Sequence, residues 1–260
     1  HPETEEQARD LVNAIQRATH AITLGAKPVV GAINGWAVGG VCVIRHTSDG
    51  GANWSAQPCP VNWSLYGVTM VSASEGWVVG AAGTILYTDN GGANWDAQDS
   101  GTTQRLEAVS APDAGHVLAV GWLRAMRFSD DGGATWTPRG GGPLRALRGV
   151  DFIDDQRGWV VGESEEEIEV DGKFYYPGIM LRTTDGGRSW AGVDLPPVGW
   201  LNDVDFVDED HGWACGRFGL VCYTTDGGQN WTLEQPLPGR FNYRVQFFDQ
   251  NEGWEIGRAS

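Results

Sequence analysis

"TTDGGQNW", residues 224–231, recurs in four altered forms, and the recurrence decides the fold. The others are "TSDGGANW" (47–54), "TDNGGANW" (88–95), "SDDGGATW" (129–136) and "TTDGGRSW" (183–190). Their closing tryptophans, Trp54, Trp95, Trp136, Trp190 and Trp231, are spaced by 41, 41, 54 and 41 residues. Upstream of each box lies a second pattern: "GWAVG" (35–39), "GWVVG" (76–80), "GHVLAVG" (115–121), "GWVVG" (158–162) and "GWACG" (212–216), with a sixth, "GWEIG" (253–257), that has no box after it. A third pattern opens most copies: "LYGVTMV" (65–71), "LEAVSA" (106–111), "LRGVDFI" (147–153), "LNDVDFV" (201–207) and "NYRVQFF" (242–248). Each copy thus holds about four short apolar strands punctuated by Gly and Asp. A period near 40 with four strands per unit is the signature of a β-propeller blade. The fold class expected is all-β: a propeller of about five four-stranded blades, with six as the alternative, plus a short N-terminal helix.

Each box falls in the turn between strands 3 and 4 of its blade. Asp49, Asp131, Asp185 and Asp226 can accept hydrogen bonds from backbone N–H groups of their own turn, and Asn90 retains that ability. The paired glycines supply positive φ. The tryptophan anchors the turn in apolar surroundings. Five near-identical copies around a ring cannot all be one active site, so the boxes read as structural.

The chain carries 18 basic and 34 acidic residues, a formal net charge of −16. Such a surface repels phosphate, which excludes nucleic acid as the expected partner. No apolar run is long enough to span a membrane, and no signal peptide is visible in a chain that begins at His1. Cys42, Cys59, Cys215 and Cys222 form no CxxC pair, so no thiolate metal site is expected. Buried free thiols are the preferred reading for all four, and the register expected does not put Cys215 opposite Cys222. No cofactor and no metal are called for.

These boxes are Asp-boxes. Together with "GWxVG" and "V-x-F" they resemble the Ycf48/HCF136-type repeat over about residues 35–258. That resemblance implies a non-catalytic propeller that binds other proteins, as assembly factors do, and it favours a periplasmic, lumenal or extracellular setting. Residues 5–20, "EEQARDLVNAIQRATH", carry the 3, 4 spacing of an amphipathic helix. With "LGAKPVVGAINGWAVGG" they resemble a fragment of the crotonase (enoyl-CoA hydratase) family over about residues 5–42. Gly40 would match that family's oxyanion glycine. Val43 stands where many hydratases carry a catalytic Glu, and most of that domain is missing, so no such activity is expected.

The domain division expected is 1–26, helical, and 27–260, propeller, with copies at 27–57, 65–97, 106–138, 147–193 and 201–235 and a partial copy at 242–258. Two closures are open. In the preferred one, residues 242–258 pair with 41–57, making five blades and pushing residues 1–39 out of the ring. In the other, the first copy stays whole and an incomplete sixth blade offers an edge for oligomerisation.

Recognition is expected at the mouth formed by the loops before strand 1 and between strands 2 and 3, where residues escape the repeat. Tyr66, Glu107, Arg148, Asn202 and Tyr243 align at the starts of strand 1, and Trp63, Arg105, Trp200, Arg240 and Phe241 precede them. The fourth copy carries an insertion, "ESEEEIEVDGKFYYPG" (163–178), in which Asp171-Gly172 signals a hairpin. Glu163, Glu165, Glu166 and Glu167 with Phe174, Tyr175 and Tyr176 could contact a partner, or the hairpin is only a solvated decoration. The leading function is a non-enzymatic protein-binding scaffold. The alternatives are a glycan-binding or glycoside-hydrolysing Asp-box propeller, for which Glu107 and Asp203 are the one carboxylate pair to propose, and a chimeric or engineered repeat protein without selected activity.

Overall fold

The computed structural model describes residues 34–139, 144–170, 173–195, 199–234, 241–247, 250 and 253–258. The expected helix at 5–20 lies outside them. Three strands form the first sheet: β1 (Gly35–Gly39), β2 (Val43–Thr47) and β3 (Ser55–Ala56). The second comprises β4 (Leu65–Met70), β5 (Gly76–Gly80), β6 (Ile85–Thr88) and β7 (Asp96–Gln98). The third holds β8 (Leu106–Ser110), β9 (Val117–Gly121), β10 (Met126–Ser129) and β11 (Thr137–Pro138). In the fourth, β12 (Leu144–Phe152) and β13 (Gly158–Ser164) are followed by a separate hairpin, β14 (Ile168–Val170) and β15 (Lys173–Tyr175), before β16 (Gly178–Thr183) and β17 (Ala191–Gly192) complete the sheet. The fifth is β18 (Leu201–Phe206), β19 (Gly212–Gly216), β20 (Val221–Thr224) and β21 (Thr232–Glu234). β22 (Phe241–Phe247) and β23 (Gly253–Arg258) form a last, two-stranded sheet. Strands within each sheet follow chain order, the meander of a propeller blade.

The second strand of each blade explains the "GWxVG" pattern. β1, β5, β9 and β13 are buried at every position. A strand covered on both faces reads as a continuous apolar run rather than an alternating one. Its closing glycine is sterically required: a Cβ at Gly80 would fall on the Ser64 carbonyl, and one at Gly216 on that of Trp200.

The chain divides into two compact units. One contains the described residues up to Val117 and Ser129–Thr137; the other contains Leu118–Phe128 and the described residues from Pro138 on. In the first, Trp36, Val38 and Ile44 pack with Leu65, Val68, Val78, Leu86 and Trp95. In the second, Trp159, Val161 and Met180 pack with Leu201, Val204, Phe206 and Cys222. Successive copies there are joined by stacking: Trp159 lies 3.6 Å from Phe206, and Trp213 lies 3.7 Å from Phe247, ring centre to ring centre.

Two expectations are corrected. β1 pairs with β2 over five residues, Gly35–Gly39 against Thr47–Val43. Residues 35–39 therefore hold the sheet position that the five-blade closure reserved for 253–257, because "GWAVG" is apolar enough to be buried on both faces. Cys42 and Cys59 are not free thiols but a disulfide, with Cα atoms 5.9 Å apart. The turn after β1 brings them together, the Cys42 N–H donating to the Trp63 carbonyl at 2.9 Å. Cys215 and Cys222 are buried thiols outside any disulfide, each opposite a different residue, Val221 and Ala214. Burial pushes the Cys222 thiol up to about 12.

Candidate functional site

The Asp-boxes are built alike. In the fifth, the Thr224 hydroxyl accepts the Gly228 N–H at 2.9 Å and donates to Asp226 Oδ1 at 2.8 Å, and that oxygen also accepts the Asn230 N–H at 2.9 Å. Both glycines have positive φ, 67° and 76°. These bonds close each turn on itself, as a capping role requires. The tryptophans are less uniform than their spacing implies. Trp95 is buried, whereas Trp54, Trp136, Trp190 and Trp231 are half-buried. The deepest indoles are those of the second strands, Trp77 and Trp159.

The predicted strand-1 residues sit on a recurrent irregularity. Register shifts fall between Leu65 and Gly67, Leu147 and Gly149, Leu201 and Asp203, and Asn242 and Arg244. The extra residue at each is Tyr66, Arg148, Asn202 and Tyr243. A bulge leaves one residue unpaired, disrupts the ladder locally and re-aims that side chain, so the repeat itself sets these four positions apart.

The hairpins between second and third strands supply the rest. The turns Ala81–Thr84, Trp122–Ala125 and Arg217–Leu220 are each closed by a backbone bond from the fourth residue to the first. Both central residues have positive φ: Ala82 and Gly83, Leu123 and Arg124, Phe218 and Gly219. This is the mirror turn that the twist of a hairpin favours. Val41 and Cys42 share it after β1. Side chains other than Gly or Asn are rare there.

In the first unit, the Arg105 guanidinium lies 3.8 Å over the Tyr66 ring and grips Glu107 by two bonds, at 2.8 and 2.9 Å. Trp63 is 54% exposed.

In the second unit, arginines and aromatic rings interleave. Arg148 lies 5.8 Å from the Trp122 ring and 5.4 Å from that of Trp200. Arg217 lies 4.3 Å over Trp200, 4.6 Å from Phe218 and 5.5 Å from Phe241. Arg145 covers Tyr176 at 4.0 Å. Glu163 is 3% exposed, held by Arg145 at 3.4 Å and Arg148 at 3.2 Å. Arg124 pairs with Glu165. Among the described residues Arg217 has no carboxylate partner, and its buried Nε has no acceptor.

Several predicted residues therefore change standing. Arg148, Trp200 and Phe241 are brought together, and Tyr243 is half-buried on its bulge. Asn202 is buried and donates its amide to the Asn242 carbonyl at 2.6 Å, a structural bond rather than a contact surface. Glu163 belongs to β13, an internal counter-ion instead of a hairpin surface group. The hairpin itself forms as expected, with Ile168, Glu169 and Val170 opposite Tyr175, Phe174 and Lys173. Its Asp171-Gly172 turn, the Phe174 and Tyr175 side chains and Arg240 lie outside the described residues. Glu165, Glu166 and Glu167 are exposed. Of the carboxylates offered for glycoside hydrolysis, Glu107 is clamped by Arg105, and Asp203 accepts Arg244 at 2.8 Å and the Val245 N–H at 3.3 Å.

Trp122, Arg145, Arg217 and Phe218 were not anticipated. The signal was present: Ala81, Trp122 and Arg217 occupy one column just after the "GWxVG" glycine, and that column varies as freely as the strand-1 starts.

A family model described as photosynthesis system II assembly factor YCF48 matches residues 14–137 and 192–260. No curated protein matches. Among solved structures, YCF48 bound to D1 peptide is 19% identical, with 89% of this chain and 92% of that chain covered and a TM-score of 0.51. YCF48 from Cyanidioschyzon merolae is 23% identical, with 86% and 76% covered and a TM-score of 0.62. A GH74 xyloglucanase from Xanthomonas campestris is 14% identical, with 78% of this chain but 36% of that chain covered and a TM-score of 0.54. At these identities the structural matches show the fold, an all-β propeller. The crotonase resemblance of the N-terminal segment is not supported: the YCF48 match begins at residue 14 and runs through β1. By that match, which takes in most of its length, the chain belongs to the family of the photosystem II assembly factor YCF48.

Proposed function

We propose that the chain is a non-catalytic assembly factor that grips an exposed peptide segment of a photosystem II subunit, with D1 the first candidate. The family description and the matched complex of YCF48 with a D1 peptide motivate the choice of partner. The observation that carries the reading for this chain is Arg217, a guanidinium set against three aromatic rings and paired with no carboxylate among the described residues. A cation held flat by rings keeps its donors for an incoming anion and offers the rings to apolar side chains. Arg148, between Trp122 and Trp200, adds a second cation among rings, one already bonded to Glu163. Arg105, Tyr66 and Trp63 are further contact candidates. Enzymatic action is not part of the proposal, since Glu107 and Asp203 are both committed to arginines and neither is left as acid or base.

The test is fluorescence anisotropy with overlapping synthetic peptides covering D1, against scrambled controls. One peptide should bind, and Arg217→Ala should weaken it at least about tenfold, the loss of a charge-assisted contact. Binding by no peptide, or equal binding by a folded Arg217→Ala, Arg148→Ala double variant, would sink the proposal.

A further inference from the structure

The second Asp-box differs from the others at one atom. In the first and fifth, the aspartate's Oδ2 accepts the side-chain amide of the residue four positions on, Asn53 or Asn230, at 2.7 Å. In the third and fourth it accepts a hydroxyl, from Thr135 or Ser189, at 2.6 Å. Asn90 keeps the Oδ1 bonds, accepting from the Thr88 hydroxyl at 3.1 Å and the Asn94 N–H at 2.9 Å. Its other terminal atom is an amide nitrogen, a donor, in a box where Asn94 also brings a side-chain amide. Turning the Asn90 amide over would only set its donor against the Asn94 N–H. The turn is thus shaped for a carboxylate at 90 and holds an amide.

Asn90 is exposed and is followed by Gly91. Without a Cβ on the next residue, the backbone nitrogen reaches the asparagine side chain with little hindrance. We propose that Asn90 is a deamidation site whose aspartate product completes the second Asp-box. The Gly91 nitrogen, deprotonated by solvent base, attacks Asn90 Cγ. The N–Cγ bond forms, the Cγ–Nδ2 bond breaks, and ammonia leaves with a proton from water, giving a succinimide. A second water opens the ring. Cleavage at Cγ–N returns an unaltered backbone with Asp at 90, whereas cleavage at the main-chain carbonyl would give isoaspartate. In the closed turn the Gly91 N–H donates to the Ser74 carbonyl at 2.8 Å, so attack proceeds from a locally opened turn. Reclosure favours aspartate: an added backbone atom would break the Thr88 bonds to Asn90 and Gly92, at 3.4 and 2.9 Å.

The experiment follows the peptide containing residue 90 by mass spectrometry while the intact chain is held at mildly alkaline pH, with the urea-unfolded chain as a clock. The folded chain should gain the mass of an NH2-for-OH exchange at 90, faster in sub-denaturing urea, with aspartate exceeding isoaspartate. The Asn90→Asp variant should have a higher urea midpoint at unchanged slope. An amide still intact at 90 after the unfolded chain has fully converted, an isoaspartate majority, or an Asn90→Asp variant no more stable than the parent would each overturn the proposal.

Discussion

At the scale of the residue, the box aspartates matter as acceptors. Hydrogen bonds from the side chains of Asn53, Ser189 and Asn230 hold Asp49, Asp185 and Asp226 at about 2, below the ordinary aspartate value of 3.8. A carboxylate depressed on folding contributes stability that is present above its unfolded value and lost as pH falls through the folded one. Urea midpoints should therefore decline as pH is lowered from about 4 to about 2, and Asp185→Asn should remove part of that decline. A midpoint independent of pH across that window would contradict the assignment. The tryptophans rank by depth rather than by repeat position. Trp77→Ala, Trp159→Ala and Trp95→Ala should each cost about 3–5 kcal/mol, and Trp54→Ala less, as read from urea midpoints at constant slope. The box tryptophans could be found by spacing alone, but which of them is buried depends on the neighbouring blade.

At the scale of the element, blades are stitched to their successors by residues outside any motif. Gln57 accepts the Trp95 indole N–H at 3.2 Å and donates to the Gly91 carbonyl at 2.9 Å. Gln98 accepts the Trp136 N–H, again at 3.2 Å. Both stand three residues after a box tryptophan, where the third copy has Arg139, whose guanidinium lies 5.2 Å from the Phe128 ring. Gln98→Ala should cost about 1 kcal/mol by leaving a half-buried indole donor unpaired. An unchanged urea midpoint would show that solvent replaces the bond. The Cys42–Cys59 disulfide closes a loop of 17 residues beside the first core. Its removal by Cys42→Ser with Cys59→Ser should cost about 2–4 kcal/mol. A parent protein whose urea midpoint is indifferent to reductant would argue against that contribution. Two cysteines 17 apart with no CxxC signal read as free thiols in the sequence. The reversal after β1 is what apposes them.

At the scale of the whole molecule, a chain of net charge −16 carries an arginine and aromatic array in its second unit. Peptide binding through that array should weaken with added salt, and Arg148→Ala should flatten the dependence by removing one cation. A salt-independent affinity, measured by the same anisotropy titration, would point to a purely apolar contact. The all-β blade pattern and the places of the turns were determined by the sequence alone. They rest on local chemistry repeated at intervals of 41 residues, once of 54: glycine where φ must be positive, a short acceptor to cap the turn, apolar runs where both faces are covered. What only the tertiary structure decided lies between copies. It joined Trp122, Arg148, Trp200, Arg217 and Phe241, which come from four successive copies. It turned Asn202 and Glu163 inward, gave β1 the place expected for β23, and closed the disulfide. Those outcomes depend on which side chain finds a partner on the adjacent blade. That competition between burial, pairing and exposure is settled by distances across the fold, which no local spacing encodes.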